Sequence, residues 1–406
     1  MKMTSLLVLA ILFSQKMMLE LGSDSSSEDD STKNTYRLVA LAARNPVMRA
    51  QLTALNLTGC ISLTVLPESL GLLARLTVIN VSRCVALTRL PESLGQLAAL
   101  QTLTFSHCFA LTGLPESLGQ LRTLATVSVR FCHALTGLPE SLGQLAALNL
   151  LELSHCRALT GLPESLGQLA ALTMLILSGC WKLGLSESLG QLSALNFLDL
   201  SWCHALAELP EALGRLAALV TLDLSWCGAL TELPGSLGQL AALTTLGLSG
   251  CGALRGLPES LGQLTALTTL SLCRCHALMM LPRSLSRLTA LKILDLYRCY
   301  KLAALPQLPM PSVLKICNLY MCRALKRLPW SIAFLSDDCD SFFFGLHSLT
   351  FPPETVANEG THAIKAFLLA HHHSLKIMLL IMAARRRRMR RPPSELWVLI
   401  YDDFFD

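Results

Sequence analysis

Charged residues are scarce in this chain of 406 residues, at 15% of the total, and the scarcity excludes one class of partner. The formal net charge of +5 depends on an arginine-rich tail, without which the chain carries −1. A nucleic-acid groove needs a stripe of Lys and Arg that neutralises phosphates. We therefore expect no nucleic acid on the body of the protein. The tail contains Arg385, Arg386, Arg387, Arg388, Arg390 and Arg391.

Uninterrupted apolar runs are missing from the middle of the chain, although 52% of all residues are hydrophobic. A membrane-spanning helix needs roughly 18 or more consecutive apolar residues. Between residues 52 and 335 the leucines are spaced and never clustered. This spacing excludes a spanning helix in that stretch and predicts ladders of buried leucines.

A repeat of 24 residues fills the leucine-rich stretch. Residues 76–99 read LTVINVSRCVALTRLPESLGQLAA, and the pattern is L-x-x-L-x-L-S-x-C-x-x-L-x-x-L-P-E-S-L-G-Q-L-x-x. Twelve coils in one register predict a solenoid, because each coil can bury its leucines only against its neighbours. The register is marked by cysteines at steps of 24 residues, apart from two steps of 23: Cys60, Cys84, Cys108, Cys132, Cys156, Cys180, Cys203, Cys227, Cys251, Cys275, Cys299 and Cys322.

The start of each coil alternates apolar and polar residues, which predicts a short strand. In residues 76–99 we expect Ile79 and Val81 to face the core, while Asn80 and Ser82 face outward. One strand per coil, stacked in parallel, predicts a sheet whose strands lie about 4.8 Å apart.

The Leu-Pro pair that follows predicts a turn into a short helix. Pro91 fixes the backbone at the helix start, and Glu92 suits the positive end of the helix dipole. Gly95 is expected where a tight return needs a residue without a Cβ atom.

The ladder cysteines are expected to be structural. At one inward position per coil, a thiol is a small apolar filler with a weak donor for a loop carbonyl. Stacked thiols would oxidise outside the cell, so the cysteines favour a reducing compartment, and we expect a cytoplasmic protein.

The coil resembles a leucine-rich repeat of the plant disease-resistance type, and the resemblance covers about two thirds of the chain. Residues 236–264 resemble repeats of intracellular nucleotide-binding immune receptors, and residues 305–329 resemble the proline-interrupted coils that end such arrays. The resemblance implies an α/β solenoid, a leucine-rich-repeat horseshoe of about twelve coils. Parallel strands would line its concave face and short helices or turns its convex face. The chain lacks the G-x-x-x-x-G-K-[ST] nucleotide loop, so the switch of those receptors is not implied.

Changes in composition predict four segments. Residues 1–35 form an apolar leader and an acidic disordered segment, and residues 36–51 form a helical N-terminal cap. Residues 52–335 form the solenoid. Residues 336–406 form an irregular C-terminal cap with a helix over residues 363–384 and the arginine-rich tail.

Both ends of the chain leave alternatives open. Residues 3–13 are apolar enough to serve as a secretory signal or anchor, but no small-residue cleavage site follows them. The arginines between Arg385 and Arg391 are read as a solvated tail, a nuclear address bound by importin, or a weak contact with an anionic membrane.

Protein binding is expected on the concave face, at the outward strand positions, among which we count the row of residues that precede the ladder cysteines. Trp202 and Trp226 fall one coil apart in that row, and exposed tryptophan beside charge is typical of an interface hot spot. A basic cluster in the last three coils, with Asp295 between its members, would meet an acidic partner or form local ion pairs. The cluster consists of Arg274, Lys292, Arg298 and Lys315. The candidate residues are Phe131, Phe197, Asp199, Trp202, Asp223, Trp226, Arg274, Lys292 and Arg298.

The function predicted from these features is a non-catalytic, monomeric scaffold or recognition module in signal transduction or defence. No catalytic set is specified, and we expect neither a cofactor nor a metal. One alternative is a secreted or membrane-anchored receptor that uses residues 3–13. The other is a ubiquitin-ligase-like enzyme that uses Cys339, whose acidic neighbours would raise rather than lower its thiol pKa.

Overall fold

A computed structural model describes residues 18–20, 39–309 and 313–372 of the chain. The chain divides into two compact units, Met1–Leu230 and Thr231–Asp406, which we call the first and the second unit.

Each described coil contributes one short strand, and neighbouring strands within a unit pair in parallel. Val78 of one strand is in register with Thr102 of the next, and Thr102 with Thr126, so the register advances by one 24-residue coil. In the first unit the strands are β1 (Met18–Glu20), β2 (Ala54–Asn56), β3 (Val78–Ser82), β4 (Thr102–Ser106), β5 (Thr126–Arg130), β6 (Leu150–Glu152), β7 (Met174–Ile176), β8 (Phe197–Asp199) and β9 (Thr221–Asp223). In the second unit they are β10 (Thr245–Gly247), β11 (Thr269–Ser271), β12 (Ile293–Asp295), β13 (Ile316–Asn318) and β14 (Asp340–Phe342).

Short 3-10 helices alternate with the strands and confirm the predicted fold class of parallel strands joined by short helical turns. Each begins directly after a proline in extended conformation, except the sixth, which follows Ser186. In chain order they are Glu68–Leu72, Glu92–Gln96, Glu116–Gln120, Glu140–Gln144, Glu164–Gln168, Glu187–Gln191, Glu211–Arg215, Gly235–Gln239, Glu259–Gln263, Arg283–Arg287 and Trp330–Phe334.

Leucine ladders form the core of each unit. Ile79 and Val81 are fully buried, whereas Asn80 and Ser82 remain partly exposed, as the alternation predicted. Leu94 of the following 3-10 helix points into the same core. Burial of one such side chain contributes about 1.5–3 kcal/mol, and in a solenoid that gain depends on the neighbouring coil.

The glycine and the glutamate of the Glu92–Gln96 helix contact the next coil, which corrects their predicted roles. Gly95 does not have the positive φ of a tight return; a Cβ atom there would lie 2.5 Å from the carbonyl oxygen of Ser117. Glu92 does not merely face its own helix dipole, because its carboxylate accepts a hydrogen bond from the Ser117 amide at 3.0 Å. Both residues therefore serve the packing of one 3-10 helix against the next.

Eleven of the twelve ladder thiols are buried, as predicted, and most of these donate to a carbonyl of the preceding coil. Cys84 Sγ donates to the Leu57 carbonyl at 3.0 Å, and Cys227 Sγ donates to the Leu200 carbonyl at 3.1 Å. All described cysteines are free thiols. Burial raises the pKa of the Cys203 thiol to about 12, so that thiol stays protonated and able to donate.

Two short helices, rather than the single predicted one over residues 36–51, lie before the first complete coil. Helix α1 is described over residues 39–44, and α2 spans Pro46–Gln51. Asn45 separates them because its side chain accepts hydrogen bonds from the amides of Val47 and Met48 and caps α2. Strand β1 pairs in parallel with β2. The sequence did not predict β1, because its three residues are too few to show an alternation of apolar and polar side chains.

The strand register continues beyond residue 335, where the leucine pattern ends. Ile316 of β13 pairs with Asp340 of β14, again 24 residues on. Helix α3 (Glu354–Asn358) and helix α4, described over residues 361–372, follow this last strand, and Ile364 and Leu368 of α4 are buried. Lys365 of α4 pairs with Asp337 at 2.6 Å.

Some predicted features lie outside the described residues: the apolar leader at residues 3–13, the acidic segment, the rest of the helix predicted to residue 384, and the arginine-rich tail. Within the described residues, no helix combines the length and the apolar character that crossing a bilayer requires.

Candidate protein-binding surface

The residues that precede the ladder cysteines lie in a left-handed turn beyond each strand, and not on the strand as predicted. Their φ angles are positive in all twelve coils, between 54° and 65° at the nine that are not glycine. Stacking of the coils within each unit fixes this conformation, because the amide of a turn residue donates to a carbonyl of the next coil of that unit. Trp202 N lies 2.8 Å from the Ser225 oxygen, and Gly179 N lies 2.7 Å from the Ser201 oxygen. The nine are Arg83, His107, Phe131, His155, Trp202, Trp226, Arg274, Arg298 and Met321.

A side chain at this turn costs stability. A left-handed conformation is unfavourable by roughly 1–2 kcal/mol for a residue with a Cβ atom, whereas glycine adopts it freely. Gly59, Gly179 and Gly250 occupy the same turn in other coils, so the fold accepts glycine there. The nine large side chains are therefore not required by the backbone.

In the first unit, these turn residues form a stacked column, which we call the turn column. Phe131 lies between the rings of His107 and His155, with centroids 4.6 Å away on each side. Trp202 and Trp226 stack at 4.8 Å with an interplanar angle of 14°. The column comprises Arg83, His107, Phe131, His155, Gly179, Trp202 and Trp226.

Gly179 occupies the turn column where a ring from the neighbouring coil fills the space. A Cβ atom at Gly179 would lie 2.3 Å from Nδ1 of His155. The imidazole of His155 therefore packs directly over the glycine backbone.

A second column, the outer column, is formed by the residues that directly follow the ladder cysteines. Phe109 stacks on His133 at 5.1 Å, and the guanidinium carbon of Arg157 lies 4.1 Å from the Trp181 ring centroid. Trp181 in turn meets His204 edge-on at 5.6 Å. The outer column was not predicted from the sequence. The one feature of the sequence that indicates it is the recurrence of aromatic and cationic residues at one position of the repeat.

The two columns contact each other and leave large aromatic surfaces open to solvent. Trp202 meets His204 edge-on at 5.8 Å, which joins the turn column to the outer column. The exposed fractions are 42% for Phe109, 41% for Trp181 and 43% for Trp202, while Trp226 is half-buried. Exposed aromatic residues of this size, gathered on one side of a folded unit, are typical of interaction surfaces.

The predicted acidic partners of the tryptophans have a structural role. The Asp199 carboxylate accepts a hydrogen bond from the Ser201 amide at 2.8 Å, and Asp223 does the same for Ser225 at 2.9 Å. Each aspartate thereby closes the turn that holds the following tryptophan. Phe197 does not lie beside the tryptophans, because it begins β8 and the whole strand separates it from Trp202.

Burial favours neutral imidazoles in both columns. Partial burial lowers the pKa of His155, and the charge of Arg157 lowers it further. The pKa of His133 is lowered by burial first and then by Arg157. Both rings therefore stack as uncharged groups at neutral pH.

The predicted basic residues lie in the second unit, at two different places in the coil. Arg274 and Arg298 occupy left-handed turns, with φ angles of 61° and 59°, whereas Lys292 is exposed just before β12. The guanidinium carbon of Arg298 lies 5.0 Å from the Tyr297 ring, which stacks at 5.6 Å on Tyr320 of the next coil.

Cys339, the alternative nucleophile, is enclosed. It is 8% exposed, and its thiol pKa is raised by burial and then by Asp340. Its Sγ atom lies 4.0 Å from the Asp340 carbonyl oxygen. The part of the chain that the structure describes also contains no group of three His, Cys, Asp or Glu side chains placed to hold a metal ion.

Comparison with known proteins supports a leucine-rich-repeat fold. Residues 177–320 match the family described as a leucine-rich repeat region. The leucine-rich repeat domain of the type III effector XopL is 26% identical, with a TM-score of 0.50, and the match covers 62% of this chain and 97% of that one. No curated protein matches this chain significantly.

Two further solved structures are similar at lower TM-scores. A leucine-rich-repeat protein of Leptospira interrogans is 24% identical over 77% of this chain and 83% of that chain, with a TM-score of 0.42. An Arabidopsis receptor kinase, solved with a peptide hormone and a co-receptor, is 18% identical over 70% and 71%, with a TM-score of 0.34.

Proposed function

We propose that this leucine-rich-repeat protein is a non-catalytic recognition module that binds a protein partner through the two aromatic columns of its first unit. The observation that carries the proposal is the turn column, in which large side chains occupy left-handed turns where glycine would relieve the backbone. Trp202 and Trp226, stacked at 4.8 Å, are the proposed centre of the interface.

The chemistry of the columns suits a protein surface. Tryptophan and arginine contribute most of the binding energy in many protein interfaces, and stacked rings lose little side-chain entropy when a partner orders them. Arg157 lies over the Trp181 ring, and Trp181 and Trp202 both pack edge-on against His204, so these side chains are already held in place. Phe131 extends the turn column through its stacks with the two histidines, whereas Phe197 is a peripheral member of the predicted set.

A non-catalytic role suits the state of Cys339. A thiol that is enclosed, and whose pKa burial raises, is a poor nucleophile. We further propose a monomeric, cytoplasmic adaptor in signalling or defence, in keeping with the resemblance of residues 236–264 to plant immune-receptor repeats.

The proposal is tested by removing both central indoles. We expect Trp202→Ala/Trp226→Ala to weaken partner binding at least about 30-fold, which corresponds to about 2 kcal/mol for a hot-spot pair. The free energy of unfolding should fall by less than about 1.5 kcal/mol, the usual contribution of an aromatic pair. The immobilised full chain and the variant are used to capture proteins from a cell extract, with recovery measured by quantitative mass spectrometry.

Phe334→Ala is the matched control, because Phe334 is an exposed aromatic residue on a 3-10 helix of the second unit. A partner of the columns is lost with the double variant and retained with the control. Titration calorimetry with the purified partner then measures the change in affinity. Equal recovery of every captured protein by the wild type and the double variant would contradict the proposed interface.

A further inference from the structure

Charge is distributed unevenly along the second unit. Residues 260–336 contain ten Lys and Arg residues but a single acid, Asp295. The net charge of −1 for the chain without its arginine-rich tail conceals this stretch. A local excess of positive charge attracts anionic partners whatever the total charge of the protein.

Four of these cations flank the outward side of strands β11 to β13. Lys292 and Lys315 are exposed and directly precede β12 and β13, so they stand one coil apart. Arg274 and Arg298 occupy the left-handed turns beyond β11 and β12. From Lys292 to Arg298 the chain advances six residues, which is about 20 Å at 3.3 Å per residue. The sheet of the second unit therefore has a basic pair at each end of its strands.

Tyrosines occupy the space between the two basic pairs. Tyr297 and Tyr320 stack with an interplanar angle of 9°, and Arg298 lies over the Tyr297 ring. Each ring covers one face of the other and the guanidinium lies over Tyr297, so at most one face of Tyr320 is open for stacking, while the ring edges and hydroxyls remain for a ligand. Base stacking, on which single-stranded nucleic-acid binding relies, needs an open aromatic face.

Asp295, the single acid of this stretch, is engaged locally. Its carboxylate accepts a hydrogen bond from the Tyr297 amide at 3.0 Å and closes the turn before Arg298. The nearest further acids belong to the β14 coil, where Asp337 is paired with Lys365 at 2.6 Å, and Asp338 and Asp340 lie at the Lys315 end. The arginine end of the strands is thus the more strongly positive one.

We infer that the outward side of β11 to β13 binds an extended acidic segment of a protein. Carboxylates of the segment pair with Arg274 and Arg298 at one end of the strands and with Lys292 and Lys315 at the other. Arginine offers a planar fork of donors to a carboxylate, and tyrosine hydroxyls donate to the carbonyls of the segment. This surface belongs to the second unit and does not depend on the aromatic columns.

The probe is a fluorescein-labelled peptide of ten glutamates, with a peptide of ten glutamines and a ten-nucleotide oligothymidylate as comparisons. Fluorescence anisotropy with the full chain measures binding at two salt concentrations. We expect the glutamate peptide to bind more tightly than both comparisons and to weaken as salt increases. Tighter binding of the oligonucleotide, or equal binding of the two peptides, would overturn the inference.

Charge-matched variants locate the site. Arg274→Ala/Arg298→Ala should weaken binding of the glutamate peptide at least tenfold. Arg283→Ala/Arg287→Ala removes the same charge from a 3-10 helix of the same unit and should change it less than twofold. Similar losses in both variants would show attraction by net charge alone and refute the site. If the first variant folds poorly, Lys292→Gln/Lys315→Gln provides the same test with an expected loss of about fivefold.

Discussion

The 3-10 helices of the two units differ in what holds each to the next. In the first unit the motif Glu-Ser-Leu-Gly-Gln recurs in consecutive coils, and most of its glutamates accept a hydrogen bond from an amide one coil on. The Glu68 carboxylate lies 3.0 Å from the Ser93 amide, and the Glu116 carboxylate lies 3.2 Å from the Ser141 amide. Each glycine lets the following serine approach its backbone.

In the second unit this arrangement ends partway along the array. Glu259 still accepts from the amides of Arg283 and Ser284, at 2.9 and 3.0 Å. In the next coil, however, Arg283 stands in place of the glutamate and Ser286 in place of the glycine. The next described 3-10 helix begins only at Trp330. The glycine is thus present where one 3-10 helix of the second unit packs on the next, and Ser286 replaces it where the stack is interrupted. The glutamate is less strictly required, because Gly235 stands in its place in the Gly235–Gln239 helix, whose Gly238 still packs against Ser260.

The strongest test of this comparison is Gly119→Ala in the first unit. A Cβ atom there would lie 2.4 Å from the Ser141 carbonyl oxygen and 2.7 Å from the Ser141 Cβ, so the two coils must separate. We expect the free energy of unfolding to fall by about 3 kcal/mol, as in an overpacked core. Urea denaturation measures the change.

Gly113→Ala is the matched control, because no atom lies within 4 Å of a Cβ atom at that position. Its effect should be less than about 0.5 kcal/mol. Equal effects of the two substitutions would show that the glycines are not needed for stacking of the 3-10 helices.

The carboxylate of Glu259, in the second unit, should make a smaller contribution to the free energy of unfolding, and this contribution depends on pH. Burial acts to raise the pKa of Glu259, but hydrogen bonds from the Ser284 and Arg283 amides outweigh it, and the pKa is lowered. The stabilisation is therefore fully present above the ordinary glutamate pKa and is lost as the pH falls through the lower folded value. We expect Glu259→Gln to lose about 1 kcal/mol at pH 7 and little at pH 3.

Denaturation of the wild type and Glu259→Gln at both pH values measures this difference. A constant gap between the two proteins from pH 7 to pH 3 would contradict a role for the carboxylate charge. Glu116→Gln, which removes one hydrogen bond where Glu259 makes two, should show a smaller gap.

The smallest expected effect belongs to the histidines of the first unit. Because the pKa values of His133 and His155 are lowered on folding, the unfolded chain binds more protons just below pH 6.5. Stability of the first unit should therefore decrease as the pH falls from 7 to 5. We expect His133→Gln/His155→Gln to reduce this dependence, as read by amide hydrogen exchange in β5 and β7. Identical pH profiles in the wild type and the variant would exclude the histidines as its source.

The sequence predicted those parts of the fold that one coil determines by itself. Leucine spacing gave the core, alternation gave the inward residues of β3, and the cysteine period gave the strand register. The last strand was missed because Asp340, Ser341 and Phe342 do not repeat the leucine pattern, although the backbone keeps the 24-residue register.

Features that depend on two coils could not be read from one. The clash that excludes a side chain at Gly95 involves Ser117, and the left-handed turn at Trp202 is fixed by a bond to the Ser225 carbonyl. Trp202 and Trp226 were correctly identified as neighbours, because a shared repeat position implies stacking. The outer column was missed because its position holds a different residue type in each coil, as Phe109, His133, Arg157 and Trp181 show.

In the left-handed turn, the backbone amide makes the hydrogen bond that joins one coil to the next, and this bond does not depend on which side chain the turn carries. The amide of Gly59, that of Arg83 and that of Trp202 make the same bond to the next coil, at 2.6 to 2.8 Å. One position per coil is therefore exchangeable without any change in the leucines beneath it. Ligand preference can thus evolve, or be redesigned, by single substitutions along this row, while duplication of a coil adds a further position without disturbing the others.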